Sequence, residues 1–321
     1  MSFSQIDTET QTPHNWPPKP VFQQAEPKPL NTLISMAVFV GVFLLIGMEL
    51  RLVFVLLIVL LVHELGHFVS MKQFGYKNVN MFFVPLFGAF VSGENDDASE
   101  QETVITLLAG PVPGIFIGLI LLYFEKNYNL YQLKLMPEIF ISLNMLNLLP
   151  LIPLDGGRLI EAMFVNGKHV LERGFLILSL LLLALLAWKL NSIAALFISV
   201  FIILRMRSSH KQDKMRKELS IAGIDYRQSY SALSDEMFWK METIVRNRLQ
   251  GAEVPLSITA GMVRNLLQPV PRERLNPWMR LGIVLFWILC LTLPIYLYSI
   301  LLTDVGFDFK LPTTEDVLAL K

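Results

Sequence analysis

The chain has one cysteine, Cys290, in 321 residues. An intrachain disulfide and a thiol metal cluster are therefore excluded, and Cys290, set in an apolar run, reads as a small core residue. Charge is also scarce. Only 17% of residues are acidic or basic, and the 27 basic side chains are balanced by 27 acidic ones, so no net field points to nucleic acid or to polyanions. Apolar residues fill the remainder: they make up 53% of the chain, and the mean hydropathy is +0.51. That composition argues against a soluble cytosolic enzyme.

Apolar content is missing from residues 1 to 30, where six prolines fall between Pro13 and Pro29. This stretch is read as a disordered tail. The first apolar run begins near Leu33, behind the prolines, which favours a retained first span over a cleaved signal peptide. A span needs roughly 20 mostly apolar residues, and seven stretches qualify: 31–48, 52–72, 104–123, 138–155, 174–190, 191–206 and 281–303. The sixth is short, so it and the fifth form either a tight hairpin or one long broken helix. The expected fold class is an all-α polytopic membrane protein of about seven transmembrane helices. Its membrane domain covers 31–206, a mostly helical cytoplasmic segment 207–280, a final helix 281–303 and a tail 304–321.

Residues 205–217 hold six basic side chains against Asp213, and Arg272, Arg274 and Arg280 precede the last span, so this loop is expected to be cytoplasmic. Counting back places the N-terminus inside, and the C-terminal ends of the second and fourth spans at the cytoplasmic face. Within the loop, Ser234 is a candidate cap. Met237, Phe238, Met241, Ile244, Val245 and Leu249 share one helix face, read as packing on the bundle or membrane surface, with a docked cytoplasmic partner as the alternative.

Ionisable groups within a span ask for a reason. The second span ends His63-Glu64-Leu65-Gly66-His67. Histidines four apart lie on one helix face and can share a metal, while a glutamate beside the first can take a proton from water. A catalytic zinc takes a third protein ligand, and the fourth span supplies a candidate in Asn144-Met-Leu-Asn147-Leu-Leu-Pro150-Leu-Ile-Pro153-Leu-Asp155-Gly156-Gly157-Arg158. Two prolines break the helical ladder there, and the glycines permit tight geometry around Asp155. Asp155 as a cap for a short helix beginning near Arg158 is the alternative. The span count puts both motifs at one membrane face, making His63, His67 and Asp155 a candidate ligand set.

With these residues the sequence resembles the site-2 protease family of intramembrane zinc metalloproteases. Its H-E-x-x-H helix matches His63 to His67, and its N-x-x-P-x-x-x-L-D-G segment matches Asn147 to Gly156. The resemblance covers roughly residues 55–165, a three-helix catalytic core. It implies Zn2+ held by His63, His67 and Asp155, Glu64 as general base and acid, and Asn147 holding the substrate chain or its developing oxyanion. It also implies transmembrane protein substrates cut near the cytoplasmic leaflet. Met81 to Gly93, too short to span and with turn signals at Pro85 and Gly88, looks like the family's membrane re-entrant β-hairpin. Such a hairpin could clamp an unwound substrate as an added strand or be merely structural. Gly110, Gly114 and Gly118 recur every four residues and are read as a packing stripe. Residues 94–103 are too few for the PDZ insertion of some relatives, and no nucleotide-sensing module is visible.

Two other readings use the same motif residues. Prenyl-directed membrane zinc proteases also carry H-E-x-x-H but need a glutamate followed four residues on by aspartate or histidine, and this chain has none. A metal-binding membrane transporter, or a proteolytically silent scaffold that grips transmembrane helices, would use the same intramembrane histidines but has no need of Glu64. His14, His169 and His210 are expected to be solvated in the tail and in polar loops. The charge pattern points to a bacterial cytoplasmic membrane, an organelle membrane of the same polarity being the alternative.

Overall fold

The structure, a computed structural model, describes residues 16–22, 29–85, 87–95, 97–128, 134–165, 169–190, 193–249, 254–268 and 271–301. It divides into two compact units, Ala25–Met206 with Arg272–Lys321, and Met1–Gln24 with Arg207–Pro271.

In the larger unit, helix α1 (Pro29–Leu45) leads into α2 (Leu50–Gln73), a largely apolar run without proline. Gly75, at φ +72°, ends α2. The Tyr76 amide reaches back to the Met71 carbonyl and the Gly75 amide to that of Lys72, the Schellman pairing that a left-handed residue permits. An antiparallel hairpin follows, β1 (Lys77–Val84) and β2 (Gly88–Glu94), with Met81 opposite Val91 and Val84 opposite Gly88. It contains the hairpin expected at 81–93 and starts four residues earlier. Alternate β1 residues Val79, Met81 and Phe83 are buried. Thr32 of α1 donates to the Met81 carbonyl, and the Phe83 amide donates to Ser35.

Helix α3 (Glu100–Ala109) opens on a capping box in which Ser99 accepts from the Glu102 amide and Glu102 from the Ser99 amide. It is followed at once by α4 (Pro111–Tyr128), then α5 (Leu135–Asn147), α6 (Asp155–Ile160), a π-helical turn Glu161–Val165, α7 (His169–Leu190) and α8 (Ile193–Ile221). After the smaller unit the chain returns in α11 (Pro277–Leu301). There Trp287 donates its indole N–H to the Leu148 carbonyl, and the buried Cys290 packs with Ile115 and Leu148. Arg280 forms an ion pair at 2.9 Å with Glu100, whose carboxylate also accepts from the Leu275 amide.

This is a membrane protein. Among the described residues, three helical stretches are long and apolar enough to cross a bilayer: α2, Glu100–Tyr128 and Pro277–Ile300. Pro29–Leu45 and Gly174–Leu185 are shorter apolar helices. Seven spans are thus not found among the described residues. The fourth expected span stops as a helix at Asn147, because Pro150 and Pro153 deny the ladder its donors. The sixth continues as helix through the basic stretch to Ile221. Residues 191–192 lie outside the described residues, and with them the choice between a hairpin and a broken helix.

The smaller unit contains the end of α8, α9 (Asp235–Arg248) and α10 (Leu256–Leu266). Ser234 caps α9, as expected, by accepting from the Met237 amide. The apolar face of α9 turns inward, correcting the expectation of a membrane or bundle surface: Phe238, Met241 and Val245 close a core with Leu219, Leu233, Ala260, Val263 and Leu266. The unit ends at Pro271. Residues 16–22, within the stretch expected to be disordered, pack on this unit; residues 1–15 and 23–28 lie outside the described residues.

Candidate metal centre

Helix geometry alone sets His63 and His67 one turn apart on the buried face of α2, and both are buried, as is Glu64 between them. The third group arrives through the broken segment after α5. Asp155 is the first residue of α6, with Leu154 at the cap position, so the alternative that Asp155 caps a later helix is corrected. A Cβ on Gly156 would overlap the Leu148 carbonyl, and one on Gly157 that of Leu151. Only glycine lets the chain fold back this closely and bring Asp155 against α2.

The three groups meet atom to atom. His63 Nε2 lies 3.1 Å from Asp155 Oδ2, His67 Nε2 lies 3.2 Å from the same oxygen, and the two Nε2 atoms are 3.2 Å apart. The far nitrogens fix what these atoms are. His67 Nδ1 lies 2.7 Å from the Thr106 carbonyl, which can only accept, so Nδ1 carries the proton. His63 Nδ1 lies 2.8 Å from Asn144 Oδ1, and the Asn144 amide nitrogen donates to the Phe140 carbonyl, which orients the side-chain oxygen toward the histidine. In neutral imidazoles each Nε2 therefore presents a lone pair. With both imidazoles neutral, two nitrogen lone pairs and a carboxylate oxygen converge, a donor set that a cation at the centre would satisfy. A tetrahedral zinc with ligands at about 2.0–2.1 Å holds neighbouring ligand atoms about 3.3 Å apart, so the group can hold a metal ion with little adjustment.

Close packing of glycine faces holds this arrangement. A Cβ on Gly66 would overlap the Ala109 carbonyl, one on Gly110 the His67 ring, and one on Gly114 the Asn144 side chain. The stripe read as packing is packing: Gly110 meets the His67 ring, Gly114 the Asn144 side chain that orients His63, and Gly118 Ile141. Asn144 and Thr106 are the residues sequence reasoning left without a role. For Asn144 the signal was present, a polar residue in an apolar run, which the structure buries fully; for Thr106 none was, because its backbone carbonyl does the work.

Glu64 lies beside the backbone amide of Val91 on β2, so the hairpin borders the cluster. Asn147 is the last residue of α5, half-buried, and no hydrogen bond joins it to the histidines or Asp155. His14 lies outside the described residues. His169 opens α7, and His210 is exposed on α8, so both sit in helices rather than loops.

Comparison with known proteins bears out the resemblance drawn from the motifs. Residues 51–136 match the family model described as Peptidase family M50, a region that includes His63, Glu64 and His67 and ends before Asp155. A zinc metalloprotease of Methanocaldococcus jannaschii is 34% identical over 118 residues, covering 34% of this chain and 33% of that protein. Stage IV sporulation protein FB of Bacillus subtilis is 30% identical over 111 residues, covering 34% of this chain and 38% of that one. The chain therefore spans about a third of the length of these relatives. Residues 51–136 thus resemble Peptidase family M50, in line with the likeness to the site-2 protease family carried by the motifs.

Proposed function

We propose that the protein is an intramembrane zinc metalloendopeptidase that cleaves transmembrane segments of other membrane proteins near the cytoplasmic leaflet. The observation that carries this reading is the buried His63, His67 and Asp155 triangle with both Nδ1 atoms tied to acceptors. The three side chains would hold the zinc, which supplies Lewis acidity to a peptide carbonyl when bound. Glu64, adjacent to His63, takes the proton of the attacking water on its carboxylate and returns it to the departing amide nitrogen. Asn147 is assigned to holding the substrate chain or its oxyanion, on the strength of the family motif. A helix hides its scissile carbonyls, so the substrate must unwind. β2 is paired on one side only among the described residues, and its Val91 amide lies beside Glu64, which supports strand addition at that edge. The basic stretches at 205–217 and 272–280 support a cytoplasmic N-terminus and a bacterial cytoplasmic membrane.

The test is quantitative membrane proteomics of cells carrying wild-type protein or Glu64→Gln. A single-pass protein or stub should accumulate in the variant while its zinc content stays at the wild-type level. Equal turnover in the two strains with zinc retained would leave a metal-binding scaffold or transporter, which zinc flux in reconstituted vesicles then distinguishes.

A further inference from the structure

The smaller unit binds residues 16–22 in a manner that goes beyond anchoring a tail. Prolines at 17, 18 and 20 fix φ near −65° and hold the residues before them extended, so Trp16 to Pro20 is committed to a polyproline-type strand before it docks. Such a strand repeats every three residues. Two carbonyls three residues apart are read by aromatic donors: the Trp239 indole N–H donates to the Pro17 carbonyl at 2.6 Å, and the Tyr230 hydroxyl to the Pro20 carbonyl at 2.7 Å. Burial pushes the Tyr230 phenol up to about 12, so it remains a donor at neutral pH. Between them the Lys19 backbone amide donates to Asp235 at 2.8 Å.

The Lys19 ammonium has three N–H donors and meets three carbonyls, those of Tyr230, Ser231 and Leu233, with the Tyr230 ring 5.2 Å away. A compact ammonium fits this cage; a planar guanidinium does not. Phe22 completes the seat edge-on to Tyr230, with Arg264 over its other face.

The segment is seated superficially. Pro17 and Pro18 are exposed and Val21 is 88% exposed, while the fully buried core of the unit is drawn from residues 219–267 alone. The groove therefore reads backbone carbonyls, one lysine and one aromatic ring, and its own core closes without the ligand.

We propose that this unit is a docking module for extended proline-rich segments of pattern Pro-x-Lys-Pro-x-Phe. Residues 17–22 occupy it as a resident ligand, which a segment of the same chemistry on a partner protein displaces.

The experiment uses the full chain in detergent and a fluorescein-labelled peptide of residues 15–25, followed by anisotropy. A Lys19→Glu chain, whose own segment is released, should bind the peptide saturably. The wild-type chain should bind it about tenfold or more weakly, and a peptide carrying Lys19→Arg should lose about tenfold, as expected for a charge-assisted site of fixed geometry. A chain beginning at Ala25 gives a second opened groove should Lys19→Glu perturb folding. Absence of binding by both opened chains, or equal binding of the arginine peptide, overturns the proposal. Wild-type dimers that the added peptide dissolves would make the occupant a second copy's segment and overturn the assignment to a foreign partner.

Discussion

Replacing Asn144 by leucine tests whether the metal centre is set from behind. Leucine has the same number and branching of side-chain heavy atoms as asparagine and is the better helix former, so α5 persists, while the Oδ1 acceptor for His63 Nδ1–H disappears. That N–H is buried at a side chain with 0% exposure and has a 2.8 Å bond to lose. A buried donor left without an acceptor costs about 1–3 kcal/mol. The imidazole can escape that cost only by moving its proton to Nε2, the nitrogen the metal requires. Either route weakens zinc binding by roughly 10–100-fold, the usual effect of removing a partner behind a metal-bound histidine. The assay is zinc competition against a chelator of known affinity on purified protein, with zinc stoichiometry measured in parallel. Asn144→Asp, which keeps an acceptor in place, should retain zinc at least as well as the wild type. Wild-type zinc affinity in Asn144→Leu would refute the argument that this bond holds the tautomer.

Four further outcomes are expected. Glu64→Gln should keep its zinc and lose about 10²–10⁴-fold in cleavage rate, as for a general base removed from its site; full activity would discard the proton-transfer role. Asp155→Ala should lose metal on dialysis, and unchanged stoichiometry would remove Asp155 from the ligand set. Gly110→Ala should lower zinc content because its methyl meets the His67 ring, whereas Gly41→Ala, with open space around it, serves as the neutral control; equal zinc in both would contradict the close-packing account. Arg280→Met leaves the buried Glu100 carboxylate unpaired and should destabilise the larger unit by about 3 kcal/mol, read as a lower Tm. Pairing that change with Glu100→Gln should recover part of the loss.

How much of this was legible in the sequence depended on how local each feature is. The membrane class follows from composition, because apolar surface on that scale needs an apolar solvent. The shared face of His63 and His67 follows from the pitch of one helix and needs no tertiary information. The end of α5 follows from Pro150 and Pro153, and the hairpin from its turn signals, each within a few residues of the element it shapes. The pairing of Asp155 with the histidines was also anticipated, through the motif match and the span count.

Beyond that pairing, contacts between elements were not legible. Whether Asn144 or Asn147 faces His63 depends on the rotation of α5 about its axis, which is set by where Gly114 admits a side chain from the neighbouring helix. The anchor of His67 is a backbone carbonyl, and every residue has one, so no residue type marks it. The apolar face of α9 was visible, but its cover, α10 and the end of α8, is a matter of chain return. Likewise the prolines of residues 17–20 fix an extended strand from sequence alone, while the carbonyl cage for Lys19 exists only where the turn at residues 230–233 folds. The sequence by itself determined the conformations that bond rotations and periodicity dictate. Tertiary structure decided which surfaces meet, because burial of one helix face against another is an energy shared between distant segments and written in neither alone.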